Sequence, residues 1–386
     1  MKKLFCLCLT ALLILSACQG VIYAEAVSTA ASVPVLSAEC AVLIDAHSGR
    51  LLHGKNADKR MGMASTTKLM TALVALRLAD KDTPISIPPE AVGVEGSSVY
   101  LVEGEVLTLY ELLLALLLSS ANDAAVAIAV ALSGDIESFA EEMNAYAYEL
   151  GLNNTHFTNP HGLFHEEHYT TAKELGAIAL AVLQNDTLCQ IVAMKKATIP
   201  HDGVKDKRLL VNHNKLLKSY EGAIGMKTGF TKRTGRCLVS AAQRDGLTLI
   251  AVTLNASDDW RDHTALLDYG FENFERRLLY PAGGFSYELP LSDGEQDSVC
   301  LTNTEPLFLT VQKGSEAVAV CVELPFRFGV GSVRRGDTCG RVRISADGCS
   351  VTSPLAFDES VKGRTKPHRG FFKRIFTFFS SENYNG

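Results

Sequence analysis

From Ser65 to Leu76 the chain is apolar on nearly every helical face, the pattern of a helix buried all round. Leu112 to Leu118 repeats the pattern. Thr108 and Glu111, three residues apart, have the form of a capping box that would start this second helix. Asn122-Asp123-Ala124-Ala125 opens a third helix after a short break, and Phe139 to Leu150 shows helical periodicity that stops at Gly151. The chain from about residue 64 to about residue 190 is therefore predicted to be largely helical.

On either side of this helical stretch the period changes to that of strands. Ala41 to Asp45 turns at Ser48-Gly49 into Leu51-Leu52, which predicts a hairpin. Cys237 to Ala242 and Leu247 to Asn255 predict two more strands around an Arg244-Asp245-Gly246 turn, with Lys227-Thr228-Gly229 at the start of this β-rich segment. Strands from both ends of the segment with helices between them predict an α/β fold built on an antiparallel sheet. From about residue 280 to about residue 355 the chain reads as short strands separated by turns. Arg341 to Ser345 and Ser350-Val351 around Asp347-Gly348 predict a hairpin there.

The two ends carry different signals. Met1-Lys2-Lys3 followed by an apolar run to Ala17 predicts an export signal, too short to span as a mature helix. Cleavage near Ala24 is the expected processing. Leu15-Ser16-Ala17-Cys18 is the alternative, a lipobox that would leave Cys18 as a lipidated N-terminus. At the other end, Phe371-Phe372-Lys373-Arg374-Ile375-Phe376-Thr377-Phe378-Phe379 puts aromatic residues broadly on one helical side and Lys373 and Arg374 toward the other. Such a segment is expected to lie in the headgroup region of an anionic membrane surface; the alternative is a helix docked on its own protein.

Composition narrows the class. The chain has 386 residues and 47% hydrophobic content, enough for a full core and a second domain. A formal net charge of −6 gives no support to nucleic-acid binding. Of its ten cysteines, those beyond the leader are Cys40, Cys189, Cys237, Cys300, Cys321, Cys339 and Cys349. They are odd in number and mostly within apolar runs, so they are read as small buried hydrophobes, with a bridge left open only among the last four.

The candidate chemistry lies in three motifs in fixed order: Ser65-Thr66-Thr67-Lys68, Ser120-Ala121-Asn122 and Lys227-Thr228-Gly229. On a helix Lys68 shares a face with Ser65. A lysine in apolar surroundings loses its proton more readily and can activate a serine hydroxyl. Ser65 would lie at the positive end of the helix. Ser120 and Asn122 fall on a loop between two buried helices, where Ser120 could pass a proton and Asn122 hold an amide. Lys227 and Thr228 on an edge strand could take a terminal carboxylate, with Gly229 allowing close backbone approach. His156, His161, His165 and His168, with Glu166 and Glu167 among them, invite a metal reading. The spacing is not that of a zinc helix, and Pro160 and Gly162 predict a loop, so no metal or other cofactor is expected.

These motifs, in this order, are the signature of serine enzymes that handle penicillin and the D-Ala-D-Ala peptide end. From about residue 38 to about residue 275 the chain resembles the serine D-alanyl-D-alanine carboxypeptidases, low-molecular-weight penicillin-binding proteins with a small β domain after the catalytic one. The similarity extends to Lys55-Asn56-Ala57-Asp58, Glu95-Gly96-Ser97-Ser98, Asn159-Pro160-His161-Gly162-Leu163, His168-Tyr169-Thr170-Thr171-Ala172 and Asn212-His213-Asn214-Lys215-Leu216-Leu217. The resemblance implies a β-lactamase/transpeptidase-like catalytic fold. It implies Ser65 as acylated nucleophile, Lys68 as base, Ser120 as proton shuttle and Asn122 as amide contact. Lys227 and Thr228 would then be carboxylate contacts, and the backbone N–H groups of Ser65 and Phe230 the oxyanion hole. Ala121 departs from the glycine common there, and Arg261 is the nearest counterpart of a carboxylate-binding arginine. The domain plan that follows is a leader over 1–24, a catalytic domain over 35–278, a β domain over 279–357 and a basic, amphipathic tail over 358–386.

The expected activity is removal of the terminal D-alanine from peptidoglycan stem peptides on the outer face of the cytoplasmic membrane, with β-lactams acylating the same serine. A serine β-lactamase and a catalytically silent wall-binding scaffold are the alternatives.

Overall fold

The computed structural model describes residues 32–201, 207–316, 318–329 and 331–364. The leader, the lipobox at Cys18 and the amphipathic tail lie outside the described residues. The first hairpin forms as β1 (Cys40–Asp45) and β2 (Leu51–Lys55). After it come α1 (Lys68–Leu78), the short hairpin strands β3 (Pro84–Ser86) and β4 (Val106–Thr108), then α2 (Leu109–Leu118), α3 (Asn122–Ser133) and α4 (Ile136–Glu149). The capping box is present: the Thr108 side chain accepts from the Glu111 N–H, and the Glu111 carboxylate accepts from the Thr108 N–H. Gly151 follows α4 at φ +75°, the left-handed geometry that ends a helix cheaply only with glycine.

Two further helices, α5 (Ala172–Gln184) and α6 (Asp186–Ala193), lead to the hairpin β5 (Lys196–Ile199) and β6 (Arg208–Val211) and a single-turn α7 (Leu216–Ser219). The chain then returns to the first sheet through β7 (Ala223–Thr231), β8 (Gly235–Arg244) and β9 (Leu247–Ala256). The strand order is β2-β1-β9-β8-β7, all pairs antiparallel, with β7 at an edge.

Strand β1 is buried on both faces, and its period of two divides the core. Val42 and Ile44, with Ile250 and Val252 of β9, join the cluster that packs on α1, α2, α3 and α5. Ala41 and Leu43, with Leu249 and Ala251, face the other way, against Leu266 and Leu267 of α8 (Asp259–Asn273). There is room for that contact because Gly270 of α8 has no side chain: a Cβ there would lie 2.5 Å from Leu249 Cδ1.

Beyond α8 the chain is all β. β10 (Phe274–Tyr280) pairs with β13 (Leu307–Gln312), while β11 (Ser286–Pro290), β12 (Ser298–Asn303), β14 (Ala319–Glu323), β15 (Thr338–Ala346) and β16 (Cys349–Phe357) form a sheet in the order β11-β12-β16-β15-β14. The predicted hairpin is β15–β16, turning at Asp347 (φ +50°) and Gly348 (φ +77°), and this sheet has a core of its own. The β texture starts directly at Phe274. The seven described cysteines are free thiols, so the bridge left open among the last four does not form. The buried-hydrophobe reading fits Cys40, Cys237, Cys339 and Cys349 but not Cys321, which is exposed because β14 is an edge strand.

One buried ion pair ties this frame to the loop above the sheet edge. Arg208 of β6 pairs with Glu105 at 2.5 Å and also donates to the carbonyls of Tyr100 and Pro200. Both side chains are nearly sealed from water, so removing one partner strands the other's charge. Arg208→Ala is expected to cost about 3–5 kcal/mol in unfolding free energy, measured by urea denaturation of the full chain.

Candidate active site

The nucleophile candidate is held in a tight turn. Ala64–Thr67 is a single 3-10 turn running directly into α1, so Ser65 precedes the α-helix instead of lying within it. The turn is wound more tightly than the expected helix, and Ala64 at its head adopts φ +48°. Among the described residues seven non-glycine positions have positive φ. Four are Asn or Asp, which tolerate it. The other three are Ala64, Tyr100 and Ser120, which all lie in the segments that build this site. Strain of this kind costs about 1–3 kcal/mol per residue and persists only where the surroundings impose it.

The surroundings do so through a chain of hydrogen bonds. The Thr158 N–H donates to His168 Nδ1 (3.1 Å), so that nitrogen carries no proton. His168 Nε2 then donates to Thr67 Oγ1 (2.7 Å), whose hydroxyl donates to the Ala64 carbonyl (2.8 Å). Burial pushes His168 down to about 3, with neighbouring histidines and Lys68 adding to the effect, so the imidazole stays neutral. Gly162 completes the clamp: at φ +86°, a Cβ there would fall 2.0 Å from the Ala64 oxygen. His168 thus serves the nucleophile turn, whereas His156 and His165 bond the Glu167 backbone. Among the described residues no His/Cys/Asp/Glu group is arranged to hold a metal.

Lys68 is wholly buried, and its Nζ meets three atoms: Ser65 Oγ at 3.0 Å, Asn122 Oδ1 at 2.7 Å and the His161 carbonyl at 2.6 Å. The last two are acceptors only. A neutral amine can give its two hydrogens to them and turn its lone pair toward the Ser65 hydroxyl. Burial, together with the charge of Lys227, drives Lys68 well below the usual lysine range, so the neutral form is favoured. Lys227 is equally buried and is brought down to about 7 by that burial; its Nζ donates to the Thr228 carbonyl at 2.9 Å.

Asn122 cannot turn. Its Nδ2 donates to the Glu95 carbonyl (2.5 Å) and its N–H to the Ser97 carbonyl (2.7 Å), which leaves Oδ1 for Lys68. Gly96 makes the fit possible, since a Cβ there would sit 2.6 Å from Asn122 Nδ2. Asp123 grips the same loop through Ser98 Oγ and the N–H groups of Val99 and Leu101. Ser120 is buried beside these groups at φ +59°, outside the three partners of Lys68.

The third motif arrives along the sheet edge. Gly229 of β7 lies so close to the nucleophile turn that a Cβ would be 3.0 Å from the Ser65 nitrogen and 3.1 Å from the Thr66 nitrogen. The backbone at Ser65 and that at Phe230 are thereby neighbours across the contact. Arg261 stands apart from this network: it is exposed on the first turn of α8, on the far face of the sheet, and its N–H bonds Asp258. The sequence motifs located Ser65, Lys68, Asn122 and Lys227. The contribution of His161 is a backbone carbonyl, and that of His168 passes through Thr67, so neither shows as a motif.

The family model described as D-alanyl-D-alanine carboxypeptidase matches residues 27–258. The D-alanyl-D-alanine carboxypeptidase DacF of Bacillus subtilis is 32% identical over 335 residues, covering 84% of this chain and 86% of its own. Among solved structures, penicillin binding protein 5 from Haemophilus influenzae superposes with a TM-score of 0.70 at 29% identity, covering 86% of this chain and 99% of the other. A mutant of Streptomyces K15 DD-transpeptidase superposes at 0.58 with 33% identity, covering 62% of this chain and 99% of the other.

Gly229→Ala tests the contact between strand and turn. The added methyl meets backbone atoms, which cannot swing aside, so β7 must back away from Ser65. Acylation of Ser65 by benzylpenicillin, followed by stopped-flow, is expected to slow by about 10²-fold or more, the scale of losing one oxyanion donor, while the melting transition stays cooperative.

Proposed function

Because the chain belongs to the D-alanyl-D-alanine carboxypeptidase family and is a serine-type hydrolase of peptidoglycan, we propose that Ser65 is its nucleophile and that the buried amine of Lys68 is the base. The observation that carries the assignment is the saturation of Lys68 by two fixed acceptors, which aims its remaining valence at Ser65.

The chemistry then follows in order. As Ser65 Oγ attacks the carbonyl between the last two D-alanines, its proton passes to Lys68 Nζ. The developing oxyanion is held by the N–H groups of Ser65 and Phe230, which do not have to reorganise as charge develops. The C–N bond breaks as a proton reaches the leaving amine, with Ser120 as relay, and D-alanine departs. Water then attacks the ester, Lys68 again taking the proton, and Ser65 is restored. Asn122 keeps one Nδ2 hydrogen free of Glu95 for a substrate carbonyl. Lys227 and Thr228 hold the terminal carboxylate at the end of the strand where Gly229 lets the chain approach. Arg261, on the far face of the sheet with its N–H on Asp258, has no part in holding that carboxylate. β-Lactams present a strained amide to the same serine and are expected to acylate it.

The domain plan supports the same reading: a catalytic unit over 35–278, a β domain over 279–357 and a basic tail that holds the enzyme at an anionic membrane surface after export. The support for export and anchoring is the composition of residues 1–24 and 358–386. Among the described residues no single helix is long and apolar enough to cross a membrane. Removing residues 370–386 is expected to move the protein from the membrane fraction to the soluble one; persistence at the membrane of protein whose Cys18 is not lipidated would overturn the tail's role.

Release of D-alanine from a pentapeptide ending in D-Ala-D-Ala is expected from the wild type and to be lost, by about 10⁴-fold or more, in Ser65→Ala. The pH profile is a separate test. Lys68 must be neutral and Lys227 charged, so kcat/KM should rise as Lys68 deprotonates and fall as Lys227 loses its proton near pH 7, the value set by its burial. In Lys227→Arg the cation persists, and the alkaline limb should move upward by more than a pH unit. A limb that stays in place would belong to another group.

A further inference from the structure

The strand that carries Lys227 has a direction, and that direction defines a subsite beyond the scissile bond. With the terminal carboxylate at Lys227 and Thr228 and the scissile carbonyl at Phe230, a peptide on the outer edge of β7 runs antiparallel to it. Residues upstream of the scissile bond therefore pass Thr231 and reach the Lys232-Arg233-Thr234 turn that joins β7 to β8.

This turn is basic, aromatic and fixed in place. Lys232, Arg233 and Arg236 are all exposed. The Arg233 guanidinium lies 4.9 Å over the Phe164 ring, and that of Arg236 lies 6.0 Å from the Phe230 ring. The two rings are themselves 44% and 63% exposed, unusual for phenylalanine away from a contact surface. Phe164 follows the loop whose His161 carbonyl holds Lys68, so the Arg233–Phe164 contact joins both walls of the site. The Thr231 and Thr234 hydroxyls bond each other at 2.8 Å, and Thr234 packs against Gly62, where a Cβ would lie 2.4 Å from Thr234 Cγ2. Asp259 stands 4.0 Å from Arg236. Among the described residues neither Lys232 nor Arg233 is in an ion pair. A guanidinium stacked by its face keeps its in-plane N–H donors free, the geometry that takes a carboxylate through two bonds.

We propose that Lys232 and Arg233 form a subsite for a carboxylate carried by the residue directly upstream of the D-Ala-D-Ala end, so that the enzyme prefers stem peptides anionic at that residue to neutral ones. The inference rests on the assignment of Ser65 and Lys227 given above, which sets the polarity of the bound peptide.

A matched pair of peptides tests it: acetyl-Glu-D-Ala-D-Ala and acetyl-Gln-D-Ala-D-Ala, which differ by a carboxylate against an amide. In the full-length wild type at low salt, kcat/KM for the glutamyl peptide is expected to exceed that for the glutaminyl peptide by about 3–10-fold, and the ratio to shrink as salt rises. In the Lys232→Gln/Arg233→Gln double variant the ratio is expected to approach one. Because the readout is a ratio within each protein, general losses of activity cancel. A wild-type ratio of one, or an unchanged ratio in the variant, overturns the subsite and leaves the Ser65 assignment intact. Cleavage of neither peptide by the wild type overturns both.

Discussion

The structure around Ser65 depends on keeping one amine buried and uncharged. Lys68 has no exposed surface, and an ammonium there would be deprived of water with a second buried lysine close by. Its hydrogen-bond partners bring no counter-ion: an amide oxygen and a peptide carbonyl accept its hydrogens, and the pull of the Asp123 carboxylate toward the charged form is outweighed by burial and Lys227. A carboxylate at either position would pair with Lys68 and hold it protonated. The choice of neutral acceptors is therefore what leaves the lysine competent to take a proton.

Each neighbouring segment can be understood as fixing one of those acceptors. The Glu95–Leu101 loop locks the Asn122 amide and is itself pinned by Asp123 and, farther out, by the Glu105–Arg208 pair. The loop from Thr158 to Leu163 brings the His161 carbonyl; Asn159 holds it through the Gly162 N–H, and Thr71 of α1 donates to the Pro160 carbonyl. Burial lowers His161 to about 4, helped by Lys68, so the ring adds no second charge. The helices behind these segments are apolar on all sides because they are scaffold, and their uniform burial is what the hydrophobic pattern reveals.

That pattern made much of the fold legible. The period of two in Ala41–Ile44, the capping box at Thr108 and Gly151 after Tyr148 and Glu149 each express a local rule that the tertiary structure obeys. The three motifs were legible because the proposed mechanism uses side chains at Ser65, Lys68, Asn122 and Lys227. What stayed hidden works through the backbone or by position. Alanine at 64 gives no sign that it will adopt a left-handed conformation, since its neighbours Thr67, Gly162 and His168 impose that from a distance. The His161 carbonyl has no residue signature, and the exposure of Cys321 depends on which strand ends up at the edge of a sheet. Ser120 was legible as a motif member, but its strained backbone was not.

The strain at Ala64 and Ser120 also bears on how such a chain drifts under selection. Glycine accepts positive φ without penalty, so replacement at either position would relax the backbone and, in the folded state alone, add stability. A lineage filtered only for robustness would gather such changes and slacken the turn that presents the serine. The side chains that stand there in this chain hold that strain in the folded state, so some folding free energy is given up to keep the turn in register. Thermal tolerance in this protein is therefore better sought far from the clamp, in the sheet edges and outer loops, where added rigidity does not compete with turnover.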